Sequence, residues 1–109
     1  MVPGAGQLEA TSSTAQFRLC QNCPDPFNPK TIISFQLPVS SLVTLKVYNT
    51  LGQEVAELIH GELMDEGEQE VEFDASKMPS GVYYYRLVAA SVDEKTMSYT
   101  GVKRMMLVK

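Results

Sequence analysis

From Thr31 onward apolar and polar residues alternate almost everywhere, and a period of two restricts the fold more than any other feature of this chain. Thr31, Ile33, Phe35 and Leu37 share one face of an extended segment, with Ile32, Ser34 and Gln36 on the other. Pro38 ends that strand because it has no N–H to give to a ladder. Val43, Leu45 and Val47 then alternate with Thr44, Lys46 and Tyr48, and Asn49-Thr50-Leu51-Gly52 reads as a tight hairpin turn whose glycine supplies the positive φ. Residues 53–63 resume as a strand with Val55, Leu58 and Ile59 apolar and a bulge expected at Gly61. A helix over Glu54–His60 is the competing reading. It would have only two turns and no N-cap, so the strand is favoured.

Asp65-Glu66-Gly67-Glu68 reads as a charged turn, after which Val71 and Phe73 alternate with Glu70, Glu72 and Asp74. Alternation puts Glu68, Glu70, Glu72 and Asp74 on the solvent face of one strand, which a half-buried antiparallel sheet requires. A calcium site would instead need carboxylates converging from a loop. Ala75–Pro79 forms a short connection, and Gly81–Val88 is the strongest strand by propensity. Tyr83, Tyr85 and Leu87 are expected inside, Tyr84 and Arg86 outside. Asp93-Glu94 turns the chain into a last strand ending Lys103-Arg104-Met105-Met106-Leu107-Val108-Lys109, whose four consecutive apolar residues suggest burial on both faces or a strand whose inward face the pattern does not assign. Short strands, turn signals every 8–12 residues and no credible long helix predict an all-β fold: an Ig-like antiparallel β-sandwich of about seven strands. The chain has no Trp, so the antibody core pattern is absent.

Ahead of the alternating region lies Gln21-Asn22-Cys23-Pro24-Asp25-Pro26-Phe27-Asn28-Pro29-Lys30. Each proline ring fixes φ and restricts the residue before it, so this stretch is expected to be stiff, extended and non-helical. Its one aromatic, Phe27, either occupies a partner's pocket or folds onto the domain's own core. A lone aromatic beside a sandwich normally finds the core, which favours self-packing. Residues 1–16 have a Gly, Ala, Ser, Thr and Gln-rich composition and are read as a flexible linker, leaving 17–109 as the folded domain, with a short first strand at Phe17–Cys20.

Composition removes several function classes. The 109 residues carry 9 basic and 13 acidic side chains, and the scattered bases leave no nucleic-acid footprint. No apolar run reaches the roughly 18–20 residues of a transmembrane helix. No signal-peptide pattern opens the chain, so an export signal would lie upstream in a longer parent. Cys20 and Cys23 lack the second ligand pair of a zinc site, and Pro24 argues against a redox C-x-x-C helix. In extended chain they lie about 10 Å apart, so ordinary thiols are favoured over a disulfide, which would need a turn there. The lone His60 has no nucleophile context, no carboxylate pair has a cleft signature, and the glycines form no phosphate loop. No enzyme activity, metal or cofactor is expected.

Four markers occur in order: Asn22–Pro29; Val47-Tyr48-Asn49 with Leu51–Val55; Phe73-Asp74-Ala75; and Ser80–Leu87, followed by the final Lys109. The series resembles the type A C-terminal sorting domain of the type IX secretion system, over residues 17–109. That β-sandwich family includes a module similar to the one in the flagellar hook-capping protein. Cys23 and Asp25 depart from the family pattern, which usually has a non-thiol residue and an asparagine there; the proline–phenylalanine spacing is intact. The resemblance implies an exported parent with an N-terminally fused cargo, delivered through the periplasm to the cell surface or outside. Its implied partners are an outer-membrane translocon, shuttle proteins and a sortase that removes the tag. Pro24, Pro26, Phe27, Asn28, Pro29 and Lys109 become partner-recognition candidates, and Gly52, Gly81, Tyr83, Tyr85 and Leu87 the turn and core motif. Edge pairing by the last strand is a further docking route. Two alternatives stand beside it. A carbohydrate-binding module would need coplanar exposed aromatics, for which alternation supplies only the isolated Tyr48, Tyr84 and Tyr99. An inert Ig-like spacer would need neither.

Overall fold

The computed structural model of the chain describes residues 16–92 and 97–109. The linker expected at 1–16 and the turn expected at Asp93-Glu94 therefore fall almost wholly outside the described residues. Among the described residues seven antiparallel strands make two facing sheets, an Ig-like β-sandwich. They are β1 (Arg18–Leu19), β2 (Lys30–Leu37), β3 (Ser41–Tyr48), β4 (Glu54–Met64), β5 (Gly67–Asp74), β6 (Gly81–Ser91) and β7 (Ser98–Leu107). One sheet runs β1-β2-β5 and the other β4-β3-β6-β7.

Alternation explains the layers. Thr31, Ile33, Phe35 and Leu37 of β2 are all buried, as are Val43, Leu45 and Val47 of β3 and Tyr83, Tyr85, Leu87 and Ala89 of β6. A half-buried sheet needs one apolar face, and a one-residue slip would turn each set out to water. Glu68, Glu70, Glu72 and Asp74 line the solvent side of β5, as the sequence predicts. At Asn49–Gly52 the Gly52 amide donates to the Asn49 carbonyl at 3.0 Å, and Gly52 has φ +82°. His60 and Gly61 together oppose Thr44, which is the expected bulge, with Gly61 at φ +53°. The helical alternative for Glu54–His60 is thereby excluded.

Three expectations change. The first strand is two residues long: the Cys20 amide still bonds the Ser34 carbonyl, but the register then shifts by one residue before Cys23 pairs with Ile32. The last strand is buried on one face only: Met105 and Leu107 are in the core, while Met106 and Val108 are 38% and 48% exposed. The outer face of β7 has no layer above it, so an apolar run there does not mean double burial. Tyr99 is no surface aromatic either. It pairs with the inward Ala89, and its ring stacks on Phe17 with centroids 5.6 Å apart.

Gly101 makes that stack possible. A Cβ there would lie 2.5 Å from the Tyr99 hydroxyl and 2.8 Å from its ring carbon, so the ring lies over the bare backbone. Gly101→Ala is expected to displace Tyr99 from Phe17 and cost about 1–3 kcal/mol, as overpacking does. Equilibrium urea unfolding measures it, and in a Phe17→Ala background the same substitution should cost less.

Candidate functional site: the proline loop and the last strand

The stiff segment is bent rather than extended. Cys23 exchanges both backbone hydrogen bonds with Ile32, each at 3.0 Å, so residues 23–32 form a closed loop on the end of β2. Inside it two buried polar side chains share one acceptor. Asn22 Nδ2 donates to the Pro24 carbonyl at 3.0 Å and to Thr31 Oγ1 at 3.1 Å, and the Thr31 hydroxyl donates to the same carbonyl at 2.8 Å. Buried polar groups remain only where they are paired, so this pair holds the turn that proline stiffness alone left open. The Cys23–Pro24, Asp25–Pro26 and Asn28–Pro29 peptides are cis.

The bend delivers Phe27 to the other sheet. Its amide donates to the Met106 carbonyl at 2.9 Å and its carbonyl accepts from the Val108 amide at 2.9 Å, a parallel bridge to β7. Two side chains extend the seam: Asp25 Oδ1 accepts from the Met106 amide at 2.9 Å, and Gln21 Nε2 donates to the Arg104 carbonyl at 2.7 Å. Outward backbone groups of β7 from Arg104 to Val108 are thus satisfied by the loop, which covers an otherwise open sheet edge. The Phe27 ring is 2% exposed and lies 6.1 Å from the Phe73 ring, centroid to centroid. Self-packing is the observed state.

Lys109 reaches this end as well. Its amide donates to Ser80 Oγ at 3.0 Å and its Nζ to the Ser76 carbonyl at 2.7 Å. Close by, hydrogen bonds from the Ser76 amide and hydroxyl hold the Asp74 carboxyl below the usual carboxylate range, with help from the charges of Lys30 and Lys109. Gly81 pairs with Leu107, and the Gly52 turn follows the end of β3 beside the start of β6. Four sequence markers far apart in the chain therefore gather at one pole. Phe17, near the first of the described residues, lies at the other, about 25 Å away along β7 at the rise of a strand. Pro24, Pro26, Asn28 and Lys109 are exposed there and Pro29 half-buried, whereas Phe27, Tyr83, Tyr85 and Leu87 are core.

Tyr85 ties the pole to the first strand. Its hydroxyl donates to the Cys20 carbonyl at 2.6 Å, and burial pushes the phenol up to about 12. Cys20 is a half-buried free thiol and Cys23 an exposed one. His60 is exposed, with Nδ1 2.7 Å from Glu57. Among the described residues no group of three His, Cys, Asp or Glu could hold a metal ion, and no helix is long and apolar enough to cross a membrane.

Sequence reasoning missed Gln21, Asn22 and Thr31 as loop-setting residues and Asp25 as the clamp on β7. Thr31 read as a face residue of β2, and only its burial beside Asn22 reveals a hydrogen-bonding role. It also treated Tyr48 and Tyr84 as isolated. They are cross-strand partners on the outer face of β3 and β6, with the Arg86 guanidinium 5.0 Å from the Tyr48 ring centroid.

The secretion system C-terminal sorting domain family matches residues 23–98, from the proline loop into β7. The chain belongs to that family, the type IX sorting domains, modules that mark their proteins for export to the cell surface or outside. No curated protein and no solved structure matches the chain. The matched span stops short of the Met106 and Val108 groups that bond Phe27, yet the loop and the strand form one hydrogen-bonded unit.

Phe27→Ala is expected to cost about 3–5 kcal/mol, as deleting a buried aromatic does, lowering the urea midpoint without changing the slope. Tyr85 sets an alkaline limit. Its folded-state value lies above that of the unfolded chain, so the stabilisation is fully present below about pH 10 and lost as pH rises toward about 12. Tyr85→Phe should flatten the loss of stability over that window while leaving the pH 7–9 baseline flat, which chemical denaturation at stepped pH measures.

Proposed function

We propose that the domain is a non-catalytic sorting module that directs a larger, N-terminally fused cargo through the type IX system to surface attachment, with the loop-and-strand pole as its recognition element. The observation that carries this reading is the gathering of Pro24, Pro26, Asn28, Pro29 and Lys109 at the end opposite Phe17. A cargo joined through the N-terminal segment leaves that pole unobstructed. The hydrogen bonds to Asp25, Phe27, Ser76 and Ser80 hold the exposed groups in one arrangement, so less entropy is lost when a translocon or shuttle protein binds them. Phe27 serves recognition indirectly, by seating the loop. The sortase of this reading would act on the N-terminal side of Phe17.

The carbohydrate-binding alternative is weaker than the sequence alone suggests. Tyr48 and Tyr84 are neighbours, but Arg86 lies over the Tyr48 ring and donates to its hydroxyl at 2.6 Å, leaving one free aromatic face.

A periplasmic reporter fused ahead of this chain in a host with the system should appear on the cell surface. Replacing Pro24, Pro26 and Asn28 together by Ala should reduce display while a protease-resistant domain persists. A wild-type fusion that stays in the periplasm overturns the reading.

A further inference from the structure

The two outer faces of the sandwich differ in kind. Every carboxylate of β5 lies on the three-stranded side, and that strand carries no cation. On their outer face β6 and β7 carry Arg86 and Arg104 and no carboxylate, while Lys103 pairs with the inward Tyr85. Among the described residues the ion pairs involve only Lys46 and His60, so no carboxylate neutralises Arg86 or Arg104. None of the exposed large hydrophobic side chains lies on β1, β2 or β5. On the four-stranded side Tyr84, Val102 and Met106 are 37%, 55% and 38% exposed. Register places them together, since Tyr84 pairs with Arg104, Arg86 with Val102 and Val82 with Met106. A protein with a net charge of −4 thus presents an apolar, cationic strip beside the pole that holds its sorting markers.

We propose that the outer face of β6 and β7, centred on Tyr84, Arg86, Val102, Arg104 and Met106, docks onto an apolar protein surface rimmed by carboxylates on the export machinery. This rests on the sorting reading above and names a second surface, continuous with the pole through Met106. The apolar centre drives desolvation, and the two guanidiniums supply planar, charge-assisted contacts to carboxylates. Stacking on Tyr48 fixes Arg86 in advance, which reduces the ordering cost of binding. A second copy of the chain is a poor occupant, because a two-fold contact through this strip would set cations against cations. An anionic lipid surface is also disfavoured, since such a surface is held by clusters of basic side chains and only Arg86 and Arg104 lie on the outer face of these two strands.

The test uses the full chain behind a periplasmic reporter in a host with the system, in three forms: wild type, Arg86→Glu/Arg104→Glu, and Glu70→Lys/Glu72→Lys. All three should fold with cooperative urea unfolding, the arginine variant at a slightly lower midpoint because it loses the Arg86–Tyr48 contact. The first double variant should lose about tenfold or more of surface display, the scale of one interface anchor, and accumulate in the periplasm; the second should match wild type. Arg86→Gln/Arg104→Gln, which keeps polar side chains there without the charge, should lose display in the same way. A photocrosslinker at Val102 should trap an outer-membrane protein, one at Glu70 should not, and the reversed arginines should abolish the adduct. Normal display of the arginine variant overturns this proposal and leaves the sorting reading standing. Failure of the wild-type fusion overturns both. Equal loss in both charge variants, an adduct with a second copy of the chain, or arginine-dependent flotation of the purified chain with phosphatidylglycerol vesicles each overturns the assigned partner.

Discussion

The buried contact between Asn22, Thr31 and the Pro24 carbonyl is the interaction on which the rest of the pole depends. Three prolines make a stiff stretch, but stiffness has no direction until something sets the turn. One carbonyl taking two side-chain donors sets it, and the loop closes on β2. Phe27 then reaches the opposite sheet, and its backbone and ring act together: two hydrogen bonds to β7 and a place in the core beside Phe73. Burying such a ring contributes roughly 1.5–3 kcal/mol in transfer free energy. That exceeds the net worth of either hydrogen bond alone, which is about 1 kcal/mol.

This arrangement joins recognition to folding. The groups that cover the β7 edge are carried by the loop that displays Pro24, Pro26 and Asn28, so an unfolded or unseated loop would expose an open strand edge and lose the display together. On the proposed reading, the sorting signal is present only on a folded domain. The opposite end is closed by other means, with Phe17 stacked on Tyr99 above Gly101. Packing independent of the loop therefore holds Phe17 at that end.

Much of the fold was legible from periodicity. The inward sets on β2, β3 and β6, the acidic outer row of β5, the Gly52 turn and the Gly61 bulge all follow from local pattern, because a strand's faces are assigned by counting in twos. The errors share a cause. Met105–Val108 read as buried on both sides because a run of apolar residues says nothing about whether a second layer exists. Tyr48 and Tyr84 read as isolated because they belong to strands 36 positions apart, joined only by register. Thr31 read as a β-face residue because its partner, Asn22, is nine positions away across a loop.

By itself the sequence determined the class of fold, the faces of most strands, the absence of helix-forming pattern and the family markers, all of which depend on residues within one strand or turn of each other. Only the tertiary structure decided that the markers meet at one pole, that Phe27 points inward and that Tyr84, Arg86, Val102, Arg104 and Met106 share one outer strip. Those outcomes depend on which strands are neighbours, and strand order is chosen by the packing of the whole core, in which residues as distant as Phe27 and Leu107 compete for the same space.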